Sequence, residues 1–237
     1  SQKLADALAD SFRQNGGEII TGKTITSMKE LPKAKFYFFD VTPRQLLKVE
    51  GLELSQSYQR KLSRFRYGPG VCKVDWALKE PIPWKAHICR KAGTVHLGNS
   101  FEEIDASIRH AGMGKVHVSP YIVLAQQSLF DPSRAPEGRH TAWASCHVPH
   151  GYREDVTDLI EDQIERYAPG FREIILAKNC MTAVDMERHN QNYVGGYING
   201  GIQDLCQLYT RPVMSFSPYR TSKKNVFICS SSTPTFG

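Results

Sequence analysis

The sequence lacks any run near the roughly 18 consecutive apolar residues that a membrane-spanning helix needs, and it does not open in the basic-then-apolar order of a secretory signal. It has no internal repeat and no low-complexity linker. Cys72, Cys89, Cys146, Cys180, Cys206 and Cys229 are scattered without a CxxC pair, which argues against a zinc site or a disulfide framework. No Asn-x-Ser/Thr sequon occurs either; both features suit free thiols in a reducing cytosol. HExxH, GxSxG, SxxK, GxxxxGK[ST] and a strand-borne GxGxxG are all missing. The residues therefore offer no acid, base or nucleophile, and the catalytic residues stay unassigned. An enzyme of this kind leaves its reactive centre to a cofactor.

What remains is ordinary globular material: 237 residues, 41% hydrophobic and 23% charged, enough for one large domain or two small ones. The chain opens with Ser rather than Met, and helical periodicity begins at once in "KLADALADSF", so it reads as a piece of a longer protein. The net charge is +6. "RKLSRFRYG" concentrates Arg60, Lys61, Arg64 and Arg66 around Phe65 and Tyr67. Tyr58, Leu62 and Phe65 fall on one helical stripe, so the basic residues read as solvated faces. With no recognised binding module, no nucleic-acid partner is expected.

Along the chain, Leu4, Leu8 and Phe12 predict an amphipathic helix ending near Asn15 at "NGG". "EIITGKTITSM" predicts two short β-runs around Gly22 and Lys23, and "KFYFFDV" a strand covered on both faces. A helix follows, with Thr42 as N-cap, Pro43 in the first position, Gln45 closing a capping box and Gly51 at the end. "VCKVDWAL" alternates as a strand wet on one face; "AGTVHLG", "YIVLAQQS" and "HTAWASCHV" are further strands. "SFEEIDASIRHAG" is a helix with a Ser100–Glu103 box, and "DVTDLIEDQIERYAPG" a helix with Val156, Leu159, Ile160, Ile164 and Tyr167 on one face. The middle is thus an antiparallel sheet with helices against it. The run Val226 to Cys229 is continuous and apolar like "KFYFFDV", so the two chain ends are expected to share one sheet with the middle inserted between them.

Four segments invite function. "NYVGGYINGGIQD" holds Gly195, Gly196, Gly200 and Gly201; such pairs serve where backbone passes close to a flat ligand or to another chain segment, and a plain surface loop is the alternative. "SLFDPSRAPEGRHTAW" places Pro136 and Gly138 at the second and fourth positions of a type I turn. "CHVPH" clusters Cys146, His147 and His150, but Pro149 and Gly151 interrupt it and no second ligand pair matches, so no metal is expected. "NVFICSSSTPTFG" is a strand feeding a turn of small polar residues, a place where backbone N–H groups meet a phosphate or polar cofactor edge.

In order and wording these segments resemble the flavin-dependent, phytoene dehydrogenase-like oxidoreductases of the amine-oxidase type. The resemblance rests on "LADALADSFRQNGGEIITGKTITSM", "DPSRAPEGRHTAWASCHVP", "GGYINGGIQDLCQLYTRP" and "PYRTSKKNVFICSSSTPTFG", spread over nearly the whole chain. It implies an α/β fold: a partial, Rossmann-like FAD-binding sheet carrying an inserted α+β substrate domain. Residues 1–52 and 219–237 would belong to the FAD-binding domain and 53–218 to the substrate domain. The family's opening strand, Gly-rich turn and helix, and its glycine-rich continuation after Gly237, have no counterpart here, and Thr235 and Phe236 stand where glycine or proline is frequent. The chain resembles the later half of such a protein and is expected to hold FAD weakly, and to be inactive, by itself.

The resemblance further implies Ile25, Thr42, Pro43, Ser231, Ser232, Thr233, Pro234 and Gly237 at the cofactor, and Trp143, Tyr193, Gly195, Gly196, Tyr197, Gly200 and Gly201 toward the substrate. For Ile25 and the aromatic residues, plain core packing is the alternative. The implied reaction moves hydride or electrons between FAD and an apolar substrate of the isoprenoid or polyene class, in a cytoplasmic protein with peripheral membrane contact for substrate entry. An amine oxidase acting on a C–N bond and a non-catalytic substrate-binding or interaction module remain open.

Overall fold

The computed structural model describes residues 2–234. Along the chain come α1 (Gln2–Gln14), β1 (Tyr37–Phe39), α2 (Pro43–Leu46), α3 (Gln56–Ser63), β2 (Gly70–Leu78), β3 (Thr94–Leu97) and α4 (Phe101–Gly112). They are followed by β4 (Ile122–Ala125), β5 (His140–Val148), α5 (Thr157–Tyr167), β6 (Ile175–Met181), α6 (Ala183–His189), α7 (Leu205–Leu208) and β7 (Val226–Ile228). The result is a mixed α/β arrangement with one parallel and one antiparallel sheet.

The two ends of the chain do lie side by side. β1 pairs in parallel with β7, Tyr37 opposite Val226 and Phe39 opposite Ile228. Val226 and Ile228 are buried with Leu46, Leu52, Leu54 and Leu62, each such side chain contributing about 1.5–3 kcal/mol. Only that face is covered. Phe38 is 66% exposed and stacks on Phe227 at 5.1 Å, so the expectation of a strand buried on both faces is corrected: this side of β1 is left open to solvent at Phe38. The far edge of β7 is bonded to the chain before it, Ile228 N donating to Tyr219 O at 2.9 Å. The far edge of β1 has no strand partner among the described residues.

Three local expectations change here. Helix α1 forms and stops at Gly16 in the left-handed region, but its Leu4, Leu8 and Phe12 stripe is exposed. No hairpin forms over residues 18–26; this β-branched stretch finds no partner strand, and it is held at its end by the Ser27–Glu50 bridge and by the Glu30 carboxylate, which accepts from Thr26 N and Thr26 Oγ1. Thr42 is the N-cap of α2 with Pro43 first, as read, yet its side chain makes no capping bond and the helix ends after Leu46. Gln45 cannot close a capping box because its amide donates to Gln191 O instead.

The five-stranded sheet has the order β3-β4-β5-β2-β6, antiparallel throughout. The alternation read in β2 holds: Cys72, Val74, Trp76 and Leu78 are buried, facing Ala142, Ala144, Cys146 and Val148 on β5. Helix α5 closes this face with Ile160 and Ile164, and the Trp76 ring meets Phe171 edge-on at 5.3 Å. Strand β6 was not anticipated; it is an edge strand with most of its residues exposed, so no hydrophobic period marks it. At α4, Ser100 accepts from Glu103 N at 3.3 Å, but the Glu103 carboxylate takes Arg166 Nη1 at 2.8 Å rather than closing the box. Before β5, Arg139 N donates to Pro136 O at 2.9 Å. Pro136 is therefore the first residue of that turn and Gly138, at φ +70°, its third, one position from the sequence reading.

Candidate functional site

Because β1 and β7 are parallel, their carboxyl ends open on one side, where ligands sit in open α/β sheets. Three segments meet there: the residues after β1, the glycine-rich segment and the terminal turn. Thr42 N donates to Asn192 Oδ1 at 2.9 Å. Ser232 Oγ donates to Gly200 O at 2.5 Å, and Arg211 Nη1 to Ser231 O at 3.1 Å. The turn closes on itself through Thr233 N to Ser230 O at 2.9 Å and Thr233 Oγ1 to Ser230 O at 2.6 Å.

The cofactor positions implied by the resemblance therefore differ in what they can offer. Thr42, Pro43, Ser232 and Thr233 are buried, Pro234 is half-buried and Ser231 is exposed. The hydroxyls of Ser232 and Thr233 are consumed internally and shape the turn. Pro234 O accepts from Tyr219 OH at 2.8 Å. Gly237 lies outside the described residues.

The glycine-rich segment presses on its own chain. A Cβ at Gly200 (φ +68°) would stand 2.1 Å from Ser231 Oγ, and one at Gly195 (φ +63°) 2.2 Å from the His150 ring. Gly196 and Gly201 press on Ala183 and Phe65 in the same way. His150 Nδ1 pairs with Gly68 O at 3.0 Å, and Gly68 in turn packs on the Tyr197 ring. Tyr197 is buried and Tyr193 half-buried. Trp143 stands elsewhere. It is opposite Asp75 on the face of the five-stranded sheet turned away from α5, half-buried, with Lys73 Nζ 5.6 Å from its ring centre. His147 is on that same face, and burial lowers its pKa.

A cavity of about 610 Å³ runs beside β1, bordered by Ile25, Phe36, Phe38, Asp40, Gln191 and Asn192 among others. Tyr37 and Phe39 line it too; since these point to the other face, the cavity follows the free edge of the strand. Ile25 is thus a cavity wall, half-buried, rather than core. Asp40, Gln191 and Asn192 escaped the sequence reading. Asp40 was the findable one, an acid at the carboxyl end of an apolar strand.

Arg211 is the most distinctive group. It is 3% exposed, enters no ion pair among the described residues, and its Nε is buried without a partner. A guanidinium held this way carries its charge in a dry place with no carboxylate beside it among the described residues. Burial raises the pKa of Tyr197 while the Arg211 charge pulls it back. Thr42 Oγ1 is likewise buried, against the Tyr67 phenol, whose pKa burial raises and the side-chain hydrogen bond to Thr42 lowers. A buried cation, a buried hydroxyl and a shaped turn at the strand ends fit the polar, anionic edge of a cofactor such as FAD.

No protein-family model matches the chain. By sequence it is similar to proteins named pyridine nucleotide-disulfide oxidoreductase domain-containing protein 2, from Mus musculus (35% identical) and Rattus norvegicus (26%), in each case over 96% of this chain and 46% of the relative. The chain spans about half the length of these curated relatives. Among solved structures, an oxidoreductase from Methanosarcina mazei matches with a TM-score of 0.55 at 14% identity, over 96% of this chain and 48% of that one; this is a likeness of fold. By these comparisons the chain is similar to part of proteins named for a pyridine nucleotide-disulfide oxidoreductase domain, and none of them is named as phytoene dehydrogenase-like.

Proposed function

We propose that this chain is the later half of an FAD-dependent oxidoreductase acting on an apolar substrate of the isoprenoid or polyene class. The observation that carries this reading is the buried Arg211, without an ion pair among the described residues, behind the Ser231–Pro234 turn, at the carboxyl ends of the parallel pair β1 and β7. FAD, when bound, would supply the ring that takes up or gives back the hydride or electrons. Arg211 would offer a preorganised positive charge toward its polar edge. Thr42 would offer its hydroxyl, beside the Tyr67 phenol, and Ile25 would border its far end. The Ser232–Gly200 bond fixes the turn, so that backbone rather than serine hydroxyls meets the cofactor.

The five-stranded sheet is assigned to the substrate. Its open face carries Trp143 beside the Lys73–Asp75 ion pair, and Tyr193 and Tyr197 belong to the glycine-rich segment; their aromatic surfaces would help exclude water from the reacting atoms. Asn192 and Gln191 bind Thr42 and Gln45 directly, which fixes the two regions relative to each other.

The test uses the full-length protein, because the resemblance assigns the phosphate-cradling segment to the earlier half. It should purify with flavin that is released on denaturation. Arg211→Met should lower the bound flavin per protein at least tenfold, and Arg211→Lys less. A full-length protein that carries no flavin and takes up no added FAD would end this reading.

A further inference from the structure

Three thiols cross the middle of the five-stranded sheet. Cys146 on β5 is directly opposite Cys72 on β2. On the other side of β2, Cys180 of β6 is opposite Val74, one diagonal step from Cys72 and on the same face. The Cys72 and Cys180 sulfurs are 3.4 Å apart. Cys72 is fully buried; Cys180 is half-buried at the margin of the core and sits one residue before the end of the edge strand, after which Thr182 leaves the sheet as the N-cap of α6.

We propose that Cys72 and Cys180 are a redox-active thiol pair that hydrogen peroxide converts to a disulfide. Cys180 is the attacking group: its thiolate displaces hydroxide from the peroxide O–O bond and becomes a sulfenic acid, the hydroxide leaving as water after taking a proton. The Cys72 sulfur then attacks the sulfenic sulfur. The S–S bond forms, the S–O bond breaks, and the departing hydroxide takes the Cys72 proton as a second water. Two thiols and one peroxide thus give one disulfide and two waters.

The division of labour follows from the surroundings. Cys180 is lowered in pKa chiefly by the hydrogen bond from Cys72, with Thr157 helping and with burial and Asp155 opposing. Cys72 is raised by that same bond and by burial. Cys146 is pushed up to about 12 by burial, which leaves it a poor nucleophile. Closing the gap to the roughly 2.05 Å of a disulfide needs about 1.4 Å of approach. Cys180 can supply it, being near the end of a strand that is paired on one side only.

The test uses the full chain with the exposed Cys206 and Cys229 replaced by serine, which silences oxidation between molecules. After peroxide treatment of the folded protein, it is unfolded in N-ethylmaleimide and read by intact mass and peptide mapping. Untreated protein should take up four maleimides and oxidised protein two, with a Cys72–Cys180 cross-linked peptide that dithiothreitol removes. Cys146→Ser should still lose two. Cys180→Ser, at a half-buried position, should lose none. Four maleimides after peroxide, a Cys72–Cys146 linkage, or a cross-link that persists in Cys180→Ser would each overturn the proposal.

Discussion

Glu161 and Lys178 join a helix to an edge strand, the Lys178 ammonium 3.0 and 3.1 Å from the two carboxylate oxygens. The Glu161 side chain is only 3% exposed and also accepts from Trp76 Nε1 at 3.0 Å and Arg172 Nε at 3.2 Å. A carboxylate so buried persists because donors meet both its oxygens. Glu161→Ala would strand the Trp76 N–H in the core, whereas Lys178 and Arg172 are partly exposed and would regain water. The expected loss is about 2–3 kcal/mol, read as a lower denaturant midpoint at unchanged slope. Glu161→Gln should lose less, since it keeps an acceptor for Trp76. An unshifted midpoint in Glu161→Ala would remove the carboxylate from the stability account.

Gly200 lies at φ +68° with Ser231 against it. Gly200→Ala adds a Cβ in a backbone region unfavourable to it and drives that atom into the terminal turn. We expect about 1–3 kcal/mol of destabilisation, together with loss of protection at the Thr233 amide in hydrogen exchange. Gly200→Ala with unchanged exchange at Thr233 would show that the turn does not depend on this contact.

His147 is held neutral by burial, its pKa below the ordinary 6.5. The unfolded chain binds a proton near pH 6.5 that the folded chain still refuses. Stability from this group is therefore complete above that pH and declines as pH falls toward the folded value. Denaturant midpoints taken from pH 7.5 down to 5 should fall, and His147→Gln should flatten the decline. Parallel profiles for the two proteins would contradict the assignment.

Gln207 clamps Arg66, three residues past the end of α3, to the glycine-rich segment. Its Oε1 accepts from Arg66 N at 2.8 Å, and its amide donates to Arg66 O at 2.8 Å and Ile202 O at 3.2 Å. Gln207→Leu keeps the volume but leaves buried backbone groups unmet, for a loss of about 1–3 kcal/mol. Exchange at the Arg66 amide should quicken. If it keeps its native rate, another group supplies the acceptor.

The elements most legible in the sequence were those whose periodicity matched their burial. β2 and β5 alternate because one face is covered, and α5 shows its stripe because Ile160 and Ile164 seal that face. Short-range rules failed where a distant group competed. Gln45 has the right spacing for a capping box, yet Gln191 O outbids Thr42; Glu103 is drawn away by Arg166. The run over residues 18–26 has β-propensity but no neighbour to pair with. β6 is held by its pairing to β2 and by Glu161, neither of which its own residues announce. At the site, family resemblance named the segments, but it could not tell that the Ser232 and Thr233 hydroxyls turn inward or that Arg211 is buried against Ser231 O.

The pairing of β1 with β7 joins residues separated by nearly the whole chain. Closing so large a loop loses much chain entropy before any contact forms, whereas β2 to β6 lie within one continuous stretch and can assemble from nearer neighbours. The order of assembly follows: the antiparallel layer first, serving as a clamp that brings the two ends within reach, and the parallel pair last. In pulse-labelling during refolding, the Cys229 amide, which donates to Phe39 O, should gain protection later than the amides of β2.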